Sequence, residues 1–480
     1  MKRFHFWLGA AAILFAYVWL AHLLFLQILP DPFFESDSPD YLHGVLAHLQ
    51  GGDFSIPPIR GLGYPFFLAV ALRLANGFQA VLIAQHFFCL ITGGLAAALF
   101  LQVYPRRNIM AFWLFFWVAL LPRAAVAAHS VMSETLYMTI QALAIYFFFR
   151  GLRRPHPLWP LLAGGLTAYA LHTRPMGLGL FLAMAALWLY FRRAPRMKRL
   201  WTWTCLGLSL VYLPLAIFNG VQRGFWGAET MSGFYFFGNT AKYLDLARVQ
   251  DPALRTALAP FYAPPLAERL QDNNWVWHGE DGPAQTLARD ARWAGRLSAV
   301  YGALAWQGFL SHPFLALRHS ARVGWDFLRW GSDIRDSLWS KEFALQQGIR
   351  RYYEMTADLL PARERLRFRP ERAPEYERHL ISHDLYPFDK ESWFWAPARC
   401  IAALTRFIPW AAVAAACLLI FLRRTGPRVL FLGLLIFTQI AQIAAGGVFS
   451  RRYAVPLDPL YLLLIWWAAA ELFRRMKSTP

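Results

Sequence analysis

The feature that most constrains this chain is a series of long apolar runs, which point to a membrane-spanning fold. A transmembrane helix needs about 20 predominantly apolar residues, and about ten runs approach or exceed that length. Hydrophobic side chains make up 57% of the 480 residues, as is typical of polytopic membrane proteins. The sequence therefore predicts an all-α bundle of about ten transmembrane helices. The predicted spans are 6–29, 79–103, 109–127, 132–150, 158–172, 175–191, 200–220, 400–422, 428–447 and 455–473.

Short basic segments between the runs indicate the orientation of the chain. They contain almost no acidic residues and fall on alternate sides of the predicted helices, so the positive-inside rule makes their side cytoplasmic. Both termini then lie in the cytoplasm, and the acidic loop after the first run faces outward. The run at 6–29 is too long for a secretory signal and no A-x-A-like cleavage site follows it, which predicts a first membrane helix. The basic segments are Lys2-Arg3, Arg106-Arg107, Arg150 to Arg154, Arg192 to Arg199, Arg423 to Arg428 and Arg474 to Lys477.

The spacing of the runs divides the chain into three parts. We expect residues 1–220 to form an N-terminal transmembrane module, whose first outer loop at 30–78 includes an apolar stretch, 64–76, that is too short to cross a bilayer. We expect this stretch to be a juxtamembrane helix in the membrane interface. Residues 221–399 carry mixed charges and several helix breakers between helix-like pieces such as 285–305 and 313–330, which favours a mostly helical extracytoplasmic domain. Residues 400–480 supply the C-terminal transmembrane helices.

Charge and missing motifs exclude several classes of function. The chain has 48 Lys and Arg against 29 Asp and Glu, but these basic residues lie at the ends of apolar runs, so no nucleic-acid partner is expected. The four cysteines form no CxxC pair, and no His, Asp and Glu cluster has metal-ligand spacing. A Walker loop and a Gly-x-Ser-x-Gly elbow are also missing. We therefore expect no cofactor and no metal site, with a divalent cation left open.

Several charged residues converge on the predicted outer face. Carboxylates at the mouth of a membrane helix carry a desolvation cost, which makes them candidates for function. Arginines on this face break the positive-inside pattern, and an anionic partner would hold them there. Taken singly, each arginine could instead bind lipid phosphate, and Glu134 could pair with Arg123 or Arg174 merely to pack helices. The candidates are Asp37, Asp40, Arg60, Glu134, Arg174, Arg451 and Arg452, with Tyr453 beside them.

These residues belong to five separate stretches of the chain, and their presence on one face favours a shared site over five unrelated occurrences. The five are Asp37 with Asp40, Arg60, Glu134, Arg174, and Arg451 to Tyr453. Carboxylates beside arginines at a lipid–water boundary suit group transfer from a lipid-linked phosphate. The arginines would stabilise the charge of the departing phosphate, and a carboxylate would take the proton from an attacking hydroxyl.

The motifs around these residues resemble the GT-C superfamily of membrane glycosyltransferases, in the branch of protein O-mannosyltransferases, lipid A aminoarabinose transferases and their bacterial relatives. Two motifs in the first outer loop depart slightly from that branch: Gly61-Leu62 stands where Pro-Pro is usual, and Ser38 follows Asp37 where a second acid is frequent. Which of Asp37 and Asp40 is the base therefore stays open. The matching stretches are Ser36-Asp37-Ser38-Pro39-Asp40-Tyr41-Leu42, Arg60-Gly61-Leu62-Gly63-Tyr64-Pro65-Phe66-Phe67-Leu68-Ala69, Ser133-Glu134-Thr135-Leu136, Thr173-Arg174-Pro175 and Arg452-Tyr453-Ala454-Val455-Pro456.

The resemblance implies a GT-C-like bundle and an inverting glycosyltransferase. The donor would be a polyprenyl-phosphate sugar, the acceptor a hydroxyl of a glycolipid, polysaccharide or protein, and the active site would face the periplasm from a bacterial inner membrane. It implies Asp37 as the base, with Asp40 supporting it or binding sugar. The residues implied to bind donor or acceptor are Arg60, Tyr64, Glu134, Arg174, Arg451, Arg452 and Tyr453.

Two other functions use the same residue types. A transporter or flippase of an anionic lipid-linked sugar would line its path with these arginines, although such proteins often show internal repeats and the sequence shows none. An O-antigen ligase or polymerase would use a diphosphate-linked donor, and the acidic first loop argues against it.

Overall fold

The structure is a computed structural model of an α-helical protein. It describes residues 2–28, 32, 37–57, 60–75, 77–229, 231–271, 282–290, 292–293, 296–330, 400–401, 404–405, 407–421, 427–446 and 455–476, and these contain no β-strand. The all-α prediction is confirmed. The helices are α1 (Lys2–Ile28), α2 (Ser38–Leu49), α3 (Gly63–Ala75), α4 (Phe78–Val103), α5 (Asn108–Ala119), α6 (Pro122–His129), α7 (Glu134–Arg153), α8 (Leu158–Thr173), α9 (Gly177–Phe191), α10 (Pro195–Arg223), α11 (Met231–Thr240), α12 (Pro252–Tyr262), α13 (Leu266–Gln271), α14 (Pro283–Arg289), α15 (Leu297–Ser311), α16 (Pro313–Trp330), α17 (Ile408–Phe421), α18 (Pro427–Gly446) and α19 (Asp458–Met476).

Length and composition identify only some of the predicted membrane spans among the described residues. A helix covers most of each of the ten apolar runs, but only α4, α7, α10 and α18 are long and apolar enough to cross a membrane among the described residues. Helices α5 and α6 become a fifth candidate when they are counted as one broken span, bent by 49°. Pro122 opens α6 and has no N–H to continue the hydrogen bonding of α5. The count of about ten spans is therefore not confirmed.

Glycines set how closely two of the long helices approach. A Cβ atom on Gly164 of α8 would lie 1.9 Å from the Thr204 carbonyl oxygen, and one on Gly207 of α10 would lie 1.9 Å from the Leu161 carbonyl oxygen. Small residues at such crossings let membrane helices pack backbone to backbone. This packing places the C-terminal end of α8, next to Arg174, against α10.

The described side chains form two separate hydrophobic cores. The larger core joins the membrane helices, and the smaller one lies among α11 to α15, around Phe237, Leu258 and Tyr301. The described residues of 222–330 are mostly helical. Helix α16 has the bounds 313–330 that the sequence predicts, whereas the piece predicted at 285–305 is divided between α14 and α15. The remainder of the predicted outer domain, 331–399, lies outside the described residues. The division at 220 and 400 stays a prediction.

Candidate active site

An arginine holds the two acidic residues of the first outer loop together. Nη2 of Arg60 lies 2.8 Å from Oδ1 of Asp37 and 2.8 Å from Oδ2 of Asp40, and its Nε donates to the same Asp40 oxygen at 2.9 Å. The arginine side chain is 10% exposed, and those of Asp37 and Asp40 are 16% and 33% exposed. One cation thus faces two carboxylates in a pocket that water can still reach.

The start of α2 explains why both acids point at Arg60. Pro39 in the first turn favours a helix start there, and Asp40 lies in the first turn, where negative charge is favourable. Asp37 precedes the helix, but its carboxylate does not cap it. Both carboxylates are therefore directed sideways to the Arg60 segment instead of along the helix axis.

The Arg60 segment reaches the Arg174 segment because two glycines allow a close approach. A Cβ atom on Gly61 would lie 2.1 Å from the carbonyl oxygen of His172, and one on Gly63 would lie 2.3 Å from Oγ1 of Thr173. The Tyr169 hydroxyl also donates to the Gly63 carbonyl oxygen at 2.7 Å. The departure from Pro-Pro at Gly61-Leu62 thus has a physical reason, since any side chain at position 61 would separate the two segments.

The second half of the site is a buried carboxylate and its arginine. Oε1 of Glu134, at the start of α7, lies 2.6 Å from Nη1 of Arg174, and the two side chains are 2% and 8% exposed. The same Nη1 donates to Oγ of Ser133 at 3.1 Å. Of the two partners that the sequence left open for Glu134, the structure selects Arg174.

Tyr41 connects the two halves of the site. Its hydroxyl lies 3.4 Å from Oγ of Ser133, and the guanidinium of Arg60 lies over its ring, 5.3 Å from the centroid. A continuous line of contacts therefore runs from Asp37 through Arg60, Tyr41 and Ser133 to Arg174 and Glu134. The residues gather from α2, the turn before α3, the start of α7 and the turn after α8.

Tyr64 supports this line from behind. Its side chain is fully buried, its hydroxyl donates to Oε1 of Gln85 at 2.7 Å, and its ring meets the Tyr41 ring edge to face with centroids 5.0 Å apart. Gln85 in turn donates to the carbonyl oxygens of Ala128 and Ser130. Tyr64 is thus packed under the site, and its predicted contact with donor or acceptor stays a prediction.

Arg223, at the end of α10, is a site residue that the sequence analysis missed. Its guanidinium donates to the carbonyl oxygens of Ile56, Pro57 and Arg60, at distances of 2.5–3.2 Å. Nη1 also donates to Oδ1 of Asn219 at 2.8 Å. Arg223 therefore fixes the backbone turn that carries Arg60. In the sequence it is one arginine at the end of an apolar run, with no local sign of three carbonyl partners.

Three predicted site residues, Arg451, Arg452 and Tyr453, lie outside the described residues. The chain is described again from Val455, and there it is tied firmly to the bundle. Gln141 donates to the Pro456 carbonyl oxygen at 3.0 Å, and Asp458 pairs with Arg123 at 2.5 Å. The role of residues 451–453 stays a prediction.

Electrostatics distinguish Asp40 from an ordinary surface carboxylate. Burial raises the pKa of Asp40, and the negative charge of Asp37 adds to that shift, while the Arg60 charge and hydrogen bond oppose it. Asp40 belongs to α2, which is not among the helices that could span a membrane. A carboxylate with a raised pKa binds a proton more readily near neutral pH, which suits acid–base chemistry.

Histidines near the site form a buried chain. His22 donates from Nε2 to the Ala119 carbonyl oxygen at 2.9 Å, its Nδ1 lies 2.8 Å from Nδ1 of His86, and Nε2 of His86 lies 3.2 Å from Nδ1 of His129. Burial and mutual hydrogen bonding are typical of packed histidines. In the part of the chain that the structure describes, no group of three His, Cys, Asp or Glu side chains could hold a metal ion. Metal independence stays a prediction.

Comparisons with known proteins give structural matches only. Neither a family model nor a curated protein matches the sequence. The fold is similar to archaeal oligosaccharyltransferase AglB from Archaeoglobus fulgidus, in complex with an inhibitory peptide and a dolichol-phosphate, at 13% identity and a TM-score of 0.43. That match covers 97% of this chain, which spans about half the length (52%) of AglB.

Two further matches are structures of ArnT from Cupriavidus metallidurans. The form bound to undecaprenyl phosphate is 13% identical, with a TM-score of 0.40, and the apo form is 14% identical, with a TM-score of 0.39. Both cover 78% of the ArnT chain, and 96% and 95% of this one. AglB and ArnT belong to the GT-C superfamily that the sequence motifs resemble. All three TM-scores lie below 0.5, and these matches assign no role to any residue of this chain.

Proposed function

We propose that this chain is an inverting glycosyltransferase that moves a sugar from a polyprenyl-phosphate donor to a hydroxyl acceptor. The observation that carries the proposal is the single guanidinium of Arg60 between the carboxylates of Asp37 and Asp40, in contact through Tyr41 with the Glu134–Arg174 pair. Acids and arginines that are far apart in sequence thus share one site, as the reaction requires. The acceptor would be a glycolipid, a polysaccharide or a protein.

The reaction assigns a part to each charged group. Asp37 takes the proton of the acceptor hydroxyl as the oxygen attacks the anomeric carbon, and the bond from that carbon to the phosphate oxygen breaks. The bonding electrons leave with the polyprenyl phosphate, whose charge is met by arginine. We keep the base at Asp37, as the resemblance implies, because Asp40 accepts from two nitrogens of Arg60 and is held firmly by them. Asp40 then positions Arg60 or a sugar hydroxyl.

Besides binding the donor phosphate, Arg60 and Arg174 would control the carboxylates that they contact. Arg60 and Arg174 each contact a carboxylate. A donor phosphate would share these guanidinium groups with Asp37, Asp40 and Glu134, so its arrival would release carboxylate oxygens toward the acceptor. Arg451 and Arg452 are proposed to complete the phosphate site. The active site would face outward from a bacterial cytoplasmic membrane, with both termini inside.

A complementation experiment tests the proposal. A strain that lacks this chain receives the wild type or the Asp37→Asn variant, and mass spectrometry compares its envelope glycans and glycolipids. General acid–base catalysis contributes about 10²–10⁴ in rate, so Asp37→Asn should abolish the sugar modification that the wild type restores. Full restoration by Asp37→Asn would remove the base assignment.

A matched control lies in the same loop. Asp53 is an exposed acid outside the line of contacts, and Asp53→Asn should restore the modification like the wild type. The Asp40→Asn variant decides between the two carboxylates: partial activity supports Asp37 as base, whereas complete loss in Asp40→Asn together with activity in Asp37→Asn reverses the assignment. Accumulation of an unprocessed lipid-linked sugar on the inner side alone would instead favour the transporter.

A further inference from the structure

Helix α16 has an apolar strip that is largely exposed in the described part of the protein. Phe314, Leu317 and Trp325 are 85%, 55% and 54% exposed, and Ala321 between them is also exposed. A helix has about 3.6 residues per turn, so these four positions follow one side of it. We call this set the α16 strip.

Arginines follow the α16 strip along its edge. Arg318 and Arg322 are exposed and lie on the adjacent side of the helix. The only acid close to them within α16 is Asp326, whose carboxylate lies 3.8 Å from Nε of Arg322. The exposed surface of α16 is therefore half apolar and half strongly basic.

The opposite side of α16 is already occupied by the protein. Ala316, Val323 and Phe327 are buried there. Asn239 of α11 donates from Nδ2 to Oγ of Ser320 in α16 at 2.9 Å, and also to the carbonyl oxygen of Ala445 in α18 at 2.9 Å. The packing of α16 is thus satisfied without the α16 strip, whose exposure needs another explanation.

The contacts of α16 place it at one end of two apolar helices. Ala445 lies at the C-terminal end of α18, and the ring of Trp325 meets that of Trp410, near the N-terminal end of α17, with centroids 5.2 Å apart. Because α16 contacts both of them, these two ends lie at the same end of the helical bundle. Helix α16 is therefore level with the ends of apolar helices, where a bilayer surface would lie.

We propose that α16 is an interfacial helix, which inserts the α16 strip into the outer leaflet and binds phospholipid phosphates with its arginines. The charged residues along α16 do not suit a helix that spans a bilayer. A basic helix with one apolar side suits the boundary between headgroups and acyl chains. Because α16 lies beside the ends of α17 and α18, lipid would surround it at this depth. We therefore propose the bilayer, and not a protein partner, as the surface that contacts the α16 strip. The proposal does not depend on glycosyl transfer.

Photocrosslinking in the full-length protein tests this contact. p-Benzoylphenylalanine replaces Phe314, the protein is reconstituted in nanodiscs of phosphatidylethanolamine and phosphatidylglycerol, and mass spectrometry identifies the adducts after illumination. We expect lipid adducts at position 314 in about tenfold excess over position 259, where Ala259 is exposed on α12 of the second core. Position 210 supplies the lipid-facing reference, since Leu210 is 58% exposed on α10.

Two outcomes would overturn the proposal. The first is an adduct yield at position 314 as low as at position 259 while position 210 crosslinks to lipid. The second is crosslinking of position 314 mainly to a second copy of the chain. The basic edge is tested separately: Arg318→Gln with Arg322→Gln should lower the share of phosphatidylglycerol among the adducts severalfold, and an unchanged share would remove the phosphate contact.

Discussion

Two sets of arginine and carboxylate side chains in the same helical bundle are built in opposite ways. Arg123 and Asp458 form a one-to-one pair at 2.5 Å, in which both side chains are 1% exposed. Arg60 instead faces two carboxylates, Asp37 and Asp40, that are 16% and 33% exposed. The first set is neutral and sealed, whereas the second carries an excess negative charge and is open to solvent.

The difference teaches which charges can take part in chemistry. A sealed pair cannot exchange partners without leaving a charge in a low-dielectric interior, so it ties α19 to α6 and does little else. An open set with one cation for two anions can release a carboxylate oxygen when a second anion arrives. The structure thus separates a structural Arg123–Asp458 pair from a working Arg60 site, although all of these residues are rare charges near apolar runs.

The largest predicted effect comes from breaking the sealed pair. Asp458→Ala leaves the Arg123 charge buried and should lower the free energy of unfolding by about 3–5 kcal/mol, measured by denaturant titration in detergent. The double variant Arg123→Met with Asp458→Leu should recover most of that loss, because both charges are gone. Equal destabilisation in the single and double variants would show that the unpaired Arg123 charge is not the cause of the loss.

Gly61→Ala tests whether the open site depends on a close backbone approach. The added methyl group would lie 2.1 Å from the His172 carbonyl oxygen, so the Arg60 turn must move, at a cost of about 1–3 kcal/mol. Thermal unfolding and sugar transfer should both decline. Gly94→Ala is the control, since nothing lies within 4 Å of a Cβ atom there. Unchanged transfer in Gly61→Ala would show that the two halves of the site work apart.

Arg223→Gln should impair the Arg60 site and have less effect on the Arg123–Asp458 pair. The glutamine cannot reach all three carbonyl oxygens of the turn, so Arg60 loses its fixed position and transfer should fall about tenfold, or about 1.4 kcal/mol in activation free energy. If Arg223 acts through Arg60, the same change in an Arg60→Ala background should add little. Additive losses in the double variant would instead assign Arg223 a separate structural part.

The smallest predicted effect is a shift in pH dependence. Because the pKa of Asp40 is raised in the fold, the folded state binds this proton more tightly than the unfolded state, and stability falls as pH rises from the ordinary to the raised pKa. Asp40 must be ionised to hold Arg60 in position, so the acidic limb of the transfer rate should also lie above the ordinary Asp range. Arg60→Gln removes the charge that opposes this shift and should move the limb higher. A limb that moves lower would contradict the assigned electrostatics.

Much of the fold follows from local sequence. Each of the ten apolar runs contains a helix, and the helix predicted at 313–330 has those bounds, because apolar runs, prolines and caps act over a few neighbouring residues. Gly61 and Gly63 stand out in the motif, but only their neighbours His172 and Thr173 explain them. The count of about ten spans is not confirmed, since four or five spans meet the criteria of length and composition among the described residues.

The sequence by itself determined which charged residues are out of place: Asp37, Asp40, Arg60, Glu134 and Arg174 stand out because charge is rare beside apolar runs. Only the tertiary structure decided their partners. It paired Glu134 with Arg174, paired Arg123 with Asp458 across the bundle, and brought Arg223 to the Arg60 turn. The physical reason is range: hydrophobicity and capping act between neighbours in sequence, whereas ion pairs form between whichever charges the helix packing brings together.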